Sequence, residues 1–351
     1  MNKIYSLLDN NYVLELFKKE LPFYYPQIKE IKKIIINPYK KLIWDSTYHV
    51  VFGYDLFFID KNDEERELQI VCSAHSSEPR KNILDTLDYL WRKELSGTEI
   101  KLPRPLFYSE EFRATFYRAL PGKTLLYYIR KRDKAAITSL VSGAARMFAK
   151  LHQLPVDDCF SFDSNNQKIS SVVPGEKFIY SELKNRFKNN EYEDLVELYQ
   201  SCVASEKKLF PKQKSLIHGD AHPENIIKIG KNKIGLIDFT DFSPADFARD
   251  LGAFIQQVEY KIVRKVEDLS FAKEIKNLFL SEYLVAAGEK LDDNLQERIN
   301  LYYDWTALRT AVYWFLNHQA SLVNGQELLA AIRERRKSNR RAQDLMINYK
   351  N

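Results

Sequence analysis

Residues 216–242 read LIHGDAHPENIIKIGKNKIGLIDFTDF and form a compact non-helical stretch between helical patterns. Polar side chains crowd its first part, and they are His218, Asp220, His222, Glu224 and Asn225. A polar turn with capping acids would account for any one of them alone. Their concentration beside apolar Ile and Leu runs indicates a functional site.

A short hairpin follows these polar residues. Residues 226–228 are a short strand, 231–233 a polar turn, and 234–237 a second strand that ends at Asp238. Such runs around a turn are typical of paired antiparallel strands. Because hairpin strands run antiparallel, the residues that flank them meet at the open end. The pattern therefore predicts that Asn225 and Asp238 are neighbours.

Oxygen donors with unlike roles suit a magnesium-dependent phosphoryl transfer. This reaction positions a hydroxyl, directs its proton towards a carboxylate and holds Mg²⁺ on phosphate oxygens. Mg²⁺ keeps several waters and takes only one or two carboxylates from a protein. Asn225 and Asp238 would be sufficient ligands, which leaves Asp220, on the loop before the hairpin, to act as the base.

The string HGDAHPEN at 218–225, with IDF at 237–239, resembles the catalytic core of the aminoglycoside phosphotransferase and choline kinase-like family. The family pattern is H-G-D-x-H-x-x-N, a hairpin and [IV]-D-[FW], and every fixed position is matched. The resemblance covers roughly residues 30–325. It implies a bilobal protein-kinase-like fold of the α+β class, with a β-rich N-terminal lobe and a mainly helical C-terminal lobe.

The resemblance also implies roles for individual residues. Asp220 would be the catalytic base, and Asn225 and Asp238 would hold magnesium. His218 would organise the catalytic loop by hydrogen bonds near Asp238. Asp250 would stabilise that loop from the following helix. His222 would pack or bond within the same loop.

Three further segments are similar to the family. Residues 117–125 (YRALPGKTL) resemble the hinge that follows the N-terminal lobe, which implies nucleotide contacts from Tyr117 and Ala119. Residues 144–155 resemble the helix that ends in a Leu-His motif. Residues 242–252 resemble the segment after the metal-binding aspartate, which ends in Asp-Leu.

The nucleotide-binding strand departs from the family pattern. The third strand normally carries a lysine that contacts the nucleotide phosphates, but the corresponding segment 67–73, ELQIVCS, has none. Val71 or Cys72 stands about where that lysine is expected. The candidates to replace it are Lys81, Arg80 and His75, of which Lys81 is assigned to the nucleotide site.

The phosphate-covering loop is also atypical. Residues 38–48 (PYKKLIWDSTY) contain no glycine, although small residues let backbone amides approach phosphate. Ser46 and Thr47 would offer hydroxyls or amides instead. These two departures leave an alternative open, in which the chain is a pseudokinase that acts as a nucleotide sensor or scaffold.

The composition is that of a globular protein with room for two lobes. The chain has 351 residues, of which 45% are hydrophobic and 29% charged, which argues against a disordered chain. We assign residues 1–120 to the nucleotide-binding lobe and 121–351 to the catalytic and acceptor-binding lobe. The first is predicted to contain three strands in a meander, a helix and two strands.

Several classes of protein are disfavoured. The N-terminus reads as a helix and not as a signal peptide, and no stretch approaches a membrane span. Three widely spaced cysteines form neither a disulfide framework nor a zinc pattern. We therefore expect a cytoplasmic protein, monomeric or homodimeric, that binds neither membrane nor nucleic acid. The basic run at 333–341 is read as a solvated helix end, with RNA binding as the alternative.

The expected reaction transfers the γ-phosphoryl group of ATP or GTP, bound between the lobes with Mg²⁺, to a small hydroxylated acceptor. The formal net charge of +5 leans against polycationic aminoglycosides, whereas a sugar or an amino alcohol is equally open. Late helices form much of the acceptor pocket in the family. The resemblance therefore makes Asp304 and Trp305 candidate acceptor contacts.

Overall fold

The computed structural model describes residues 2–156, 167–172, 175–186, 191–211, 213–317 and 322–348. The chain divides into two compact units. Unit 1 comprises residues 1–125 and 224–240, and unit 2 comprises 126–223 and 241–351. Unit 1 is rich in strands and unit 2 is mainly helical, which confirms the predicted α+β class.

Unit 1 is built on a five-stranded sheet in the order β1-β2-β3-β6-β5. All neighbouring strands in it are antiparallel, as predicted for the meander. The strands are β1 (Ile28–Ile43), β2 (Tyr48–Asp60), β3 (Glu65–His75), β5 (Arg104–Ser109) and β6 (Ala114–Arg118). β1 is much longer than the predicted strand at 31–36, because it continues past Pro38 as an edge strand with irregular register.

The two faces of this sheet differ in polarity. One face carries buried apolar side chains such as Phe52, Tyr54 and Phe116, which pack with the helix α1 (Asn10–Glu20). That helix confirms the helical reading of the N-terminus. The opposite face is half-buried and polar, and on it the Asp55 carboxylate accepts hydrogen bonds from two amide side chains. Alternation along each strand separates the two faces.

The helix α2 (Lys81–Arg92) follows β3, as the apolar stripe predicts. Ile83, Leu87 and Leu90 are buried. Trp91 Nε1 donates to the carbonyl oxygen of Pro103 at 2.8 Å.

A second, four-stranded sheet brings the hairpin into unit 1. Its order is β4-β10-β9-β7, and its strands are β4 (Ile100–Lys101), β10 (Lys233–Leu236), β9 (Ile226–Gly230) and β7 (Lys123–Thr124). The hairpin β9–β10 is the one predicted from the sequence. Because β4 and β7 pair with it, residues 224–240 belong to the same compact unit as residues 1–125.

Unit 2 consists of helices and one two-stranded ribbon. The helices are α3 (Leu125–Arg130), α4 (Lys134–His152), α5 (Glu176–Arg186), α6 (Glu191–Leu209), α7 (Ala248–Lys265), α8 (Leu269–Ala287), α9 (Asp293–Asn317) and α10 (Leu322–Asn348). β8 (Ser215–Ile217) pairs with β11 (Ser243–Ala245). Across the described part of the chain, no helix is both long enough and apolar enough to cross a bilayer.

The resemblance placed Asp250 on a helix, and α7 is that helix; it also carries part of the core. Gly252 lies where α7 and α9 touch: a Cβ atom there would come within 2.7 Å of the Ile299 carbonyl oxygen and of the Tyr303 nitrogen. A glycine lowers helix propensity, but here it permits close approach of two helices. Cys159 lies outside the described residues. Cys72 and Cys202 are free and buried.

The basic C-terminal run belongs to α10, and two of its arginines are not solvated as predicted, whereas Arg333 and Lys337 are exposed. Arg335 and Arg336 both bind the carboxylate of Asp304, with Nε–O distances of 3.1 Å in each case. Their side chains are only 24% and 21% exposed. Arg333 pairs with Asp194 on α6. Ion pairs from Arg333, Arg335 and Arg336 therefore connect α10 to α6 and α9. The side chains of 338–341 lie outside the described residues.

Candidate functional site

The segment His218–Pro223, which we call the catalytic loop, is anchored by Asp250 on α7. The two carboxylate oxygens of Asp250 accept hydrogen bonds from the backbone amides of His218 at 2.7 Å and Gly219 at 2.9 Å. Asp250 is completely buried. The structural role that the family resemblance implied for Asp250 therefore matches its contacts.

A buried histidine completes the anchor. His152, at the end of α4, places Nε2 at 3.0 Å from Asp250 and Nδ1 at 2.8 Å from the Tyr283 hydroxyl. Both ring nitrogens of His152 thus have a partner, one a carboxylate and the other a hydroxyl. Burial alone would raise the pKa of Asp250, but the bonds from His152 and from the loop amides outweigh it and lower that pKa. The carboxylate therefore stays ionised.

Gly219 is required by the shape of the loop. Its φ is +82°, and a Cβ atom at this position would lie 2.3 Å from the carbonyl oxygen of Asp241. Only glycine adopts this conformation without strain and without the clash. The central position of the H-G-D triplet thus has a steric reason.

The loop presents Asp220 as an ionised carboxylate. Its Oδ2 lies 3.1 Å from Nε2 of His222, and its side chain is 41% exposed. Burial would raise the pKa of Asp220, but His222, Arg309 and His218 outweigh that effect and hold the pKa well below its usual range. Asp220 is therefore accessible and negatively charged at neutral pH.

Asn225 and Asp238 meet at the open end of the hairpin, as predicted. Leu236 pairs with Ile226 in the last register position, and beyond it the Ile237 amide donates to the Asn225 carbonyl oxygen at 3.1 Å. Asp238 has a φ of +65°. A non-glycine residue in this region costs energy, and such residues cluster at functional sites.

The donors at this end suit a small, hard cation. The Thr240 hydroxyl donates to Oδ1 of Asp238 at 2.7 Å, so that among the described residues Oδ2 accepts no hydrogen bond. Asn225 is buried and supplies an amide oxygen. One carboxylate and one amide fit Mg²⁺, which takes few protein ligands and keeps waters. In the described part of the chain, no cluster of three or more His, Cys, Asp or Glu side chains forms a richer metal site.

A cationic cluster lies on the polar face of the five-stranded sheet, and we define it as Lys40, His49, His75 and Arg80. Lys40 Nζ and Arg80 Nη2 lie 3.0 Å and 3.4 Å from Nε2 of His49. The rings of His49 and His75, which face each other on β2 and β3, are 4.7 Å apart. This cluster brings side chains from β1, β2, β3 and the start of α2 to one place.

The positive charge of the cluster exceeds the negative charge of the carboxylates that pair with it. Arg80 is only 4% exposed and its Nε has no hydrogen-bond partner among the described residues. Its ion-pair partner is the exposed Glu78, at 3.4 Å. Burial, Lys40 and Arg80 lower the pKa of His49 to about 4. Burial and Arg80 lower the pKa of Lys40, and Asp238 counteracts this shift.

The predicted nucleotide-binding residues are scattered over unit 1. Ser46 and Thr47 form the tight β1–β2 turn, in which the Trp44 amide donates to Thr47 at 2.9 Å. Lys81 Nζ is held by both carboxylate oxygens of Asp85, at 2.7 Å and 3.0 Å. The structure therefore places Lys40, and not Lys81, beside Arg80.

Tyr117 lies near the end of β6, and Ala119 follows that strand. Tyr117 pairs with Val71 across β6 and β3, and burial together with the charge of Asp238 raises its pKa. The Ala119 amide donates to the Gln69 carbonyl oxygen at 2.9 Å. That amide hydrogen is thus used within the protein.

Sequence reasoning missed Lys40. It treated residues 38–48 as a loop, whereas β1 extends to Ile43 and puts Lys40 opposite Val51. Cross-strand neighbours in a sheet lie within side-chain reach. The residues 37–43, NPYKKLI, show no regular alternation, and the register shifts between Pro38 and Lys40, so no clear signal in the sequence marks this position.

The sequence profile described as the phosphotransferase enzyme family matches residues 54–291. No curated protein matches the sequence significantly.

Solved structures of similar fold share little sequence with this chain. The ethanolamine kinase of Plasmodium vivax has 13% identity and a TM-score of 0.54, over 92% of this chain and 87% of that one. Spectinomycin phosphotransferase, APH(9)-Ia, in complex with ADP and spectinomycin, has 13% identity and a TM-score of 0.52, over 93% and 94%. Amicoumacin kinase hAmiN, in complex with AMP-PNP, Ca²⁺ and its ligand Ami, has 16% identity and a TM-score of 0.52, over 84% and 86%.

Proposed function

The chain belongs to the phosphotransferase enzyme family, and from this premise we propose that it transfers the γ-phosphoryl group of ATP or GTP to a hydroxyl of a small molecule, with Mg²⁺. The observation that carries this proposal is the catalytic loop, whose backbone is bound to the buried Asp250 and which presents Asp220 ionised and accessible.

Asp220 would position the acceptor hydroxyl and receive its proton. In the transfer, a bond forms between the hydroxyl oxygen and the γ-phosphorus. The bond from that phosphorus to the β,γ-bridging oxygen breaks, and the diphosphate leaves. A carboxylate with a lowered pKa is a weak base, which suits a loose transition state in which the proton moves late and positioning supplies most of the catalysis.

Asn225 and Asp238 would hold the magnesium ion. The ion would neutralise the charge that develops on the phosphate oxygens. The left-handed backbone of Asp238 and its bond from Thr240 orient the carboxylate, which supports this role.

Lys40 and Arg80 would take the place of the lysine that β3 lacks. Both are cations on the polar face of unit 1, and Lys40 lies within electrostatic range of Asp238. A triphosphate would supply the anionic partners that the cationic cluster lacks. Charge-assisted hydrogen bonds of this kind are about twice as strong as neutral ones.

Thermal melting with ATP or GTP, with and without Mg²⁺, tests the nucleotide site. At about 100 times the dissociation constant, binding stabilises the native state by about 2.7 kcal/mol. We expect a magnesium-dependent rise in Tm that is lost in Asp238→Ala and kept in Glu274→Ala, a change of an exposed acid on α8. No rise with either nucleotide would contradict the proposal.

A second measurement tests the cationic cluster. Lys40→Met is expected to weaken ATP binding at least about tenfold, because it removes a charge-assisted phosphate contact. Lys41→Met, at the neighbouring exposed lysine, and Lys81→Met should change the affinity less than about twofold. Titration calorimetry at one fixed magnesium concentration gives these values. A larger loss in Lys81→Met than in Lys40→Met would reassign the phosphate contact to Lys81.

The absence of a lysine from β3 favours one other candidate, a pseudokinase that senses nucleotide. Binding of nucleotide without phosphoryl transfer to any acceptor, and without slow hydrolysis by water, would support it. Transfer that depends on Asp220 would exclude it.

A further inference from the structure

A cavity of about 230 Å³ lies within unit 2 between α5, α6 and α9. Most of its described lining is apolar or aromatic. Tyr199 and Trp305 form one corner, with ring centroids 5.3 Å apart and an edge-to-face angle of 70°. The Tyr199 hydroxyl donates to the Ile169 carbonyl oxygen at 3.2 Å, so the ring is fixed in place.

The volume sets the size of an occupant. An engineered apolar cavity of about 150 Å³ holds benzene. A cavity of 230 Å³ therefore admits one aromatic ring with substituents, or two fused rings. Leu308 and Val312 from α9, with Ile179 from α5, supply the flat apolar walls that such a group would contact.

Arg309 is the cation of this cavity. Its guanidinium lies over the Trp305 ring, 5.9 Å from the centroid. It interacts electrostatically with Asp220 and Asp241, but no ion pair or hydrogen bond joins it to a described residue. Arg309 is half-buried and lines the cavity beside Trp305. Its guanidinium donors are therefore available to an anionic group of a ligand in the cavity.

The cavity does not present the carboxylates that a polycation needs. Glu176 is the acid in its described lining, and one of its oxygens accepts a hydrogen bond from Gln200 at 2.8 Å. Asp304, which the sequence offered as an acceptor contact, is occupied by Arg335 and Arg336. Trp305, the other candidate, does line the cavity.

We propose that the acceptor is an aromatic hydroxy acid or a close chemical equivalent: a compound whose one or two rings enter the cavity, whose anionic group pairs with Arg309, and whose hydroxyl is presented to Asp220. This inference rests on the proposed function for the reacting hydroxyl. The binding of ring and anion rests on the cavity alone.

Binding is measured by titration calorimetry without nucleotide, so that it does not depend on turnover. The probes are 3-(2-naphthyl)lactate, lactate without a ring, 3-phenyl-1-propanol without a charge, and kanamycin as a polycation. We expect the naphthyl hydroxy acid to bind at least about tenfold more tightly than each of the others. Tighter binding of kanamycin, or equal binding of lactate, would overturn the proposal.

Two variants test whether Arg309 binds the anionic group. Arg309→Met is expected to lower the affinity for the naphthyl hydroxy acid at least about tenfold and to change the affinity for 3-phenyl-1-propanol less than about twofold. Arg264→Met, at an exposed arginine on α7, should change neither. Unchanged affinity for the acid in Arg309→Met would refute the role of Arg309. Arg309 packs on Trp305, so Arg309→Met could disturb the fold. In that case the series of four ligands on the unaltered protein still tests the proposal.

The outcomes separate this inference from the proposed function. If the acid binds but neither it nor any other acceptor receives a phosphoryl group from ATP or GTP, the ligand class stands and the proposed function fails. If a polycationic or ring-free acceptor is phosphorylated instead, the proposed function stands and the ligand class is wrong.

Discussion

Asp220→Asn is expected to lower the rate of phosphoryl transfer by about 10²–10⁴-fold, the range that a positioned general base contributes. Asn keeps the shape of the side chain and an oxygen that accepts from His222, which lies 3.1 Å away in the native protein. It has no negative charge, however, and cannot receive the proton of the acceptor hydroxyl. The loss therefore falls on kcat, whereas the affinity for nucleotide stays the same.

Transfer from radiolabelled ATP to an acceptor panel measures this loss, and slow hydrolysis by water provides a readout that needs no acceptor. The rise in Tm with nucleotide and Mg²⁺ serves as the control for an intact fold and nucleotide site. Equal turnover in the variant and the native protein would remove Asp220 from the mechanism. A loss of the nucleotide-induced rise in Tm would show that Asp220 acts in binding instead.

Asp250→Ala is expected to lower the free energy of unfolding by about 3–5 kcal/mol, as is typical when one partner of a buried charged network is removed. Two backbone amides and Nε2 of His152 lose their common acceptor in a site without solvent access. Urea unfolding at pH 7 gives the value. Asp250→Asn retains one oxygen acceptor and should show a smaller loss.

The dependence of stability on pH in the acid range independently tests the contribution of Asp250. Its folded pKa lies below the ordinary value of 3.8, so the stability it contributes is complete above pH 3.8 and is lost as the pH falls through the folded pKa. The native protein should lose that part of its stability below pH 3.8, and Asp250→Ala should not. As a comparison, Asp268→Ala removes the half-buried cap of α8 and should cost clearly less than Asp250→Ala. An equal loss in both variants would mean that Asp250 does not hold the loop.

The position of Lys40 beside His49 and Arg80 could not be predicted from the sequence. Its proposed role depends on where β1 ends, and the boundary of an edge strand with irregular register is weakly encoded locally. The contact with His49 joins residues nine positions apart, and the contact of His49 with Arg80 spans 31 positions. Such pairs exist only after the strands have taken their register.

The C-terminal arginines illustrate the same limit for charge. A run of Arg and Lys on a helix is usually exposed, because a buried cation needs a partner. Asp304 supplies that partner from α9, 31 and 32 residues away. The cavity beside Trp305 likewise depends on three helices that are separate in sequence.

The sequence by itself determined the parts of this protein that depend on short-range geometry. The H-G-D triplet demands a glycine in a tight loop, a hairpin brings its flanking residues Asn225 and Asp238 together, and alternation or helical spacing assigns most elements. Only the tertiary structure decided how buried charges are compensated: Asp250 by His152 and the loop amides, Asp304 by the arginines of α10. Compensation of a buried charge depends on distances between elements remote in sequence, which no local pattern encodes.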